Sequence, residues 1–82
     1  MAEDFLKHFT VGGYHIELSR GLVEGKLQGA LAEPVMKHAV SVNGSWYPVK
    51  QAIEMAAGIP RADVISTEAR RVFRSLGFEV KP

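Results

Sequence analysis

The dipeptide Asn43-Gly44 constrains this 82-residue chain more than any other feature. It stands between "HAVSV" (38–42) and "SWY" (45–47), two runs with strand character. A two-residue hairpin loop in a type I′ turn needs positive φ at both central residues, and Asn-Gly meets that need well. Such a turn sets the register: Val42 opposite Ser45, Ser41 opposite Trp46, Val40 opposite Tyr47. Cross-strand partners share a face. Val40, Val42 and Tyr47 are therefore expected in a core, with Ser41 and Trp46 on the more polar side.

Two helices should follow. Pro48 suits a first helical position, where its missing N–H costs nothing. Val49, Ala52, Ile53 and Ala56 then repeat at i, i+3, i+4, i+7, an apolar stripe, and Gly58 is a natural stop. Ser66 can cap a second helix. Ala69, Val72, Phe73 and Leu76 repeat the stripe, and Gly77 ends it. "FEV" (78–80) reads as a last strand with Phe78 and Val80 inward.

The first 36 residues are less regular. Residues 3–9, "EDFLKHF", suggest two helical turns with Phe5, Leu6 and Phe9 inward, and "VGG" breaks the chain over Thr10–Gly13. "YHIEL" alternates, with Tyr14, Ile16 and Leu18 on one face of a short strand. Residues 22–32 place Val23, Leu27, Ala30 and Leu31 at helical spacing, ended by Pro34. Gly21, Gly25 and Gly29 would line one side of that helix, as a flat face against a neighbour or as a dimer contact. The expected fold is α+β: one small domain over 1–82, with an N-terminal helical/strand segment (1–36) and a hairpin–helix–helix–strand module (37–82).

Composition narrows the function. With 46% hydrophobic and 23% charged residues, the chain can bury one core. It has no cysteine, which excludes disulfides, thiolate metal sites and a thiol nucleophile. "MAEDFLKHF" lacks the apolar stretch of a signal peptide, and no apolar run approaches the ~20 residues that span a bilayer. A cytoplasmic protein without membrane partners is expected. His8, His15 and His38 are scattered without metal-ligand spacing. No nucleophile elbow, phosphate loop or dinucleotide fingerprint is present. No enzyme activity, cofactor or metal is expected.

Charge is uneven. Residues 1–36 carry a balance of −2 and residues 37–82 one of +3. The second helix should show Arg70, Arg71 and Arg74 opposite its apolar stripe, with Glu68 one turn from Arg71. These arginines form either a solvated face or a phosphate-contacting one, since the guanidinium fork suits phosphate. Lys50 lies in the first turn of its helix, where free N–H groups already favour an anion. It pairs either with Glu54, one turn on, or with an external anion. Trp46, the only tryptophan, anchors a core or, if exposed, stacks a base or a protein partner.

The run "VNGSWYPVKQAIEMAAGIPRADVISTEARRVFRSLGFEV" resembles the N-terminal head module of actinobacterial McrA-type HNH restriction endonucleases and related small bacterial proteins. The shared features are an "NG..YP.K" entry, a small-residue helix, an "ADVIST" connector and an "RR..R.LGFEV" ending; Ser66 and Thr67 replace a double glycine. The resemblance covers residues 42–80 and implies a nucleic-acid-associated accessory module, related to restriction–modification, without nuclease activity of its own.

Charge and helix placement therefore predict DNA binding, with Lys50, Arg61, Arg70, Arg71 and Arg74 on phosphates and Trp46 available for stacking. The alternative is a protein-interaction or regulatory module, monomeric or homodimeric, that does not bind nucleic acid.

Overall fold

The computed structural model describes residues 4–35 and 37–81. Nine short elements follow in order: strands β1 (Lys7–Val11) and β2 (Tyr14–Leu18), helix α1 (Arg20–Leu27), strands β3 (Ala39–Val42) and β4 (Ser45–Pro48), helix α2 (Val49–Ala57), a 3-10 turn (Arg61–Asp63), helix α3 (Ser66–Ser75) and strand β5 (Val80–Lys81). The fold is α+β, as expected.

The Asn43-Gly44 hairpin forms with positive φ at both residues (53° and 81°). Its register pairs Val42 with Ser45, Ser41 with Trp46 and Val40 with Tyr47, as the turn dictates. Val40, Val42 and Tyr47 are buried. β5 joins antiparallel to β3, so the sheet order is β4-β3-β5.

Both predicted stripes are in the core. α2 buries Val49, Ala52, Ile53 and Ala56 and ends at Gly58 in the left-handed region. It packs against α1 and α3 and touches β2, β3 and β4. α3 buries Ala69, Val72, Phe73 and Leu76, and the Phe73 ring meets Phe78 edge-on at 6.0 Å. Ser66 does not cap α3, however. It is the first helical residue, Ile65 occupies the cap position, and among the described residues neither α2 nor α3 has a side-chain cap.

The N-terminal third departs most from expectation. β1 replaces the two helical turns expected over 3–9; Glu3 lies outside the described residues. Phe5 and Leu6 are 69% and 54% exposed, and only Phe9 packs on the core. Pairing is the reason. Gly12 and Gly13 both take positive φ (57° and 83°), which folds the chain tightly and sets Phe9 opposite Ile16 and Val11 opposite Tyr14. Thr10 and Val11 stay in the strand. "YHIEL" is a strand as read, with Leu18 buried.

α1 is shorter than expected. Ser19 caps it by accepting from the Leu22 amide at 3.0 Å, and the Asp4 carboxylate accepts from the Gly21 amide and the Ser19 hydroxyl. The chain leaves the helix at Gln28 and turns at Gly29, so Leu31 is 90% exposed rather than part of an apolar stripe. No close-packed glycine face exists within the described chain: a Cβ on Gly25 would meet nothing within 4 Å, and Gly29 lies beyond the helix.

Two polar clamps hold the connecting segment after α1. Buried Gln51 donates to the Leu31 carbonyl and accepts from the Glu33 amide, both at 2.9 Å. The Tyr47 hydroxyl donates to the Ala30 carbonyl at 3.1 Å.

Candidate anion-binding cleft

The clamped segment forms one wall of a cleft of about 530 Å³. The other walls are the first turn of α2 (Pro48, Val49, Lys50) and the approach to and first turn of α3 (Ile65, Ser66, Thr67). The Val49 amide donates to the His38 carbonyl at 3.2 Å, which ties the start of α2 to the residue before β3. Two helix N-termini therefore open onto one space, and neither has a side-chain cap. Backbone N–H groups at such ends, together with the helix dipole, favour an anion.

Arg61 lines this cleft but is already engaged. Its Nη1 and Nη2 donate to the two oxygens of Glu33 at 2.6 and 3.0 Å. Its Nε and Nη2 donate to Glu54 Oε1 at 2.9 and 2.8 Å. These bonds hold Glu33 and Glu54 below the usual carboxylate range and raise Arg61. Arg61 is thus a structural tie between the cleft wall and α2, not the free phosphate contact that its charge suggested.

The same tie removes the expected Lys50–Glu54 pair. Glu54 faces Arg61, and Lys50 has no hydrogen-bond or ion-pair partner among the described residues. Lys37 also lines the cleft, likewise without a partner among the described residues. His38 lines the cleft beside it. Its Nδ1 is buried with no partner among the described residues, and burial, then Arg70, then Lys37, push its pKa down.

The arginines of α3 do not act as one group. Arg70 is half-buried near His38, with its Nε buried and without a partner among the described residues. Arg74 is exposed on the same side of the helix. Arg71 is exposed beside the β1–β2 hairpin, in a hollow shared with His8, Phe9 and Thr10. Glu68 does not offset Arg71; it accepts from the Gly12 amide at 3.0 Å and pins the hairpin turn to α3. Trp46 is half-buried away from the cleft lining, with Lys81 Nζ 4.3 Å above its ring.

Lys37 and His38 were missed as site residues. They precede the hairpin and carry no local motif. Only the docking of the loop against both helix starts gives them a role. Among the described residues no helix is long and apolar enough to cross a membrane.

Fold and cleft together define a small α+β domain with a cationic cleft between two helix starts. Residues 9–82 match the sequence profile of the SCO5918-like family, and the chain belongs to that family. No curated protein and no solved structure matches the chain.

Proposed function

We propose that this protein is a DNA-binding accessory module that contacts phosphates from the cleft and along α3. The carrying observation is Lys50: a cation without a partner among the described residues, placed where two helix starts without side-chain caps among those residues already favour negative charge. From the cleft, Thr67, Arg70 and Arg74 continue along one side of α3. Ser66 to Arg74 spans about 12 Å at 1.5 Å per residue, room for two neighbouring phosphates of a strand. Lys37, Lys50, Arg70 and Arg74 are the proposed contacts, with Arg71 at the margin. The resemblance of residues 42–80 to McrA-type heads points the same way, and a cytoplasmic location fits a DNA partner. Trp46, stacked with Lys81, is available to a base only if the lysine swings away.

A second reading is a protein-interaction module. It draws on Leu31 and Ile65, 90% and 60% exposed, the latter on the cleft wall. One titration separates the two. DNA binding through about four phosphate contacts should give a slope of log K against log salt of about −3 to −4. Affinity that ignores salt, or no binding to duplex or single strands at low salt, overturns the DNA reading.

A further inference from the structure

The shape and charge of the cleft suit one kind of phosphate better than another. An internal phosphodiester carries one charge and two free oxygens, and the strand must enter and leave on either side of it. A terminal phosphomonoester carries close to two charges at pH 7 and three free oxygens. Lys37 and Lys50 both line the cleft and supply two cations without partners among the described residues, while Glu33 and Glu54 already engage Arg61. The start of α3 adds the Ser66 and Thr67 hydroxyls, which make no hydrogen bond among the described residues.

Two further observations are independent of the helix ends. The space is concave and about 530 Å³, within the range of small-ligand sites rather than of a convex backbone contact. Pro34, Pro48, Val49 and Ile65 give the cleft an apolar side on which a sugar or base can lie.

We infer that the cleft is a pocket for a phosphomonoester attached to a nucleoside, the phosphorylated end of a nucleic-acid strand being its source. The inference rests on the DNA-binding reading for that source, but not for the phosphate chemistry.

The test uses the full chain and four probes: a 5′-phosphorylated single-stranded 12-mer, the same strand with a 5′-hydroxyl, adenosine 5′-monophosphate, and adenosine. The phosphorylated strand should bind at least tenfold more tightly than the hydroxyl one, and the monophosphate should bind where adenosine does not. Lys37→Ala and Lys50→Ala should each erase most of that difference while melting as the parent does. Equal, salt-dependent affinity for both strands overturns the monoester pocket and leaves DNA binding standing. Binding of the monophosphate but of neither strand keeps the phosphate chemistry and overturns the strand end as its source. No binding of any probe overturns the pocket, and the salt titration with duplex decides the DNA reading separately.

Discussion

Arg61 Nη2 lies 2.8 Å from Glu54 Oε1, and that bond decides the surroundings of Lys50. Glu54 is one turn from Lys50 on α2 and is its obvious partner by spacing. A second carboxylate, Glu33, approaches the same guanidinium from the far wall of the cleft. Arg61 thus gathers two acidic groups, and Lys50 lines the cleft without a partner among the described residues. A cation in the first turn of a helix is then left for an external anion.

Lys50→Ala and Glu54→Ala should therefore part company. Lys50→Ala removes repulsion with the helix dipole, so stability should stay level or rise by a few tenths of a kcal/mol. DNA affinity should fall by ~1 kcal/mol or more, as for a lost charge-assisted contact. Glu54→Ala should lower the melting temperature, because it frees Arg61 from α2. Matching small stability losses with unaltered affinity would make Lys50 a surface charge only.

Phe73→Ala and Arg74→Ala test the face of α3. Phe73 is fully buried against Phe78, and its truncation should cost ~3–5 kcal/mol, about the whole stability of a domain this small. Arg74 is exposed, and its truncation should stay within ~0.5 kcal/mol. Denaturant unfolding of the pair checks this; equal midpoints would mean the helix face is reversed.

The glycine turn gives an asymmetric pair. Both glycines hold positive φ, so an alanine at either position is strained by ~1 kcal/mol or more. At Gly12 the added Cβ would also overlap the Asp63 carbonyl oxygen, whereas at Gly13 it meets open space. Gly12→Ala should be the more damaging in thermal melts. It should also loosen the Glu68 bond to the Gly12 amide and the Tyr14 hydroxyl bond to Asp63, now 2.9 Å. Equal losses would remove the hairpin contact with the 3-10 turn from the account.

Acid should weaken the fold in two stages. His38 is depressed below its ordinary 6.5, chiefly by burial, so the unfolded chain takes up that proton first. Its contribution is whole above about pH 6.5 and is lost as pH falls through the depressed value. Glu33 and Glu54 lie below their ordinary 4.5 because Arg61 donates to them. Their contribution is whole above that value and lost as pH falls through the lowered ones. Asp4, lowered by the Gly21 amide and the Ser19 hydroxyl, adds to this second stage. Melting temperatures followed from pH 7 to 3 should show both stages. His38→Gln should remove the upper stage and Arg61→Gln should shrink the lower one. Identical pH profiles for all three proteins would show that neither group is linked to folding.

Much of the fold after residue 38 was legible without coordinates, because its signals are local. Asn43-Gly44 defines a hairpin through the φ values that a two-residue turn requires, and the register follows. The stripes from Val49 to Ala56 and from Ala69 to Leu76 define helix faces through 3.6-residue spacing. Those same faces put Arg71 and Arg74 outside. The first third was less legible. Phe5 and Leu6 are apolar residues left exposed, and Leu31 continues an apolar spacing past the end of its helix. In each case a turn overrode the pattern: the Gly12-Gly13 turn drew Lys7–Val11 into a strand, and Gly29 redirected the chain before Leu31.

By itself the sequence determined which stretches turn, which faces are apolar and which half is basic, since these depend on neighbours within about one helical turn. Only the tertiary structure decided who pairs with whom. Arg61 meets Glu33 across 28 residues of chain, and Glu68 meets Gly12 across 56. Lys37, His38 and Lys50 share a cleft because the loop before β3 and the starts of α2 and α3 line one space. Charge pairing depends on distance through space, and spacing along a chain measures that distance only inside a single element.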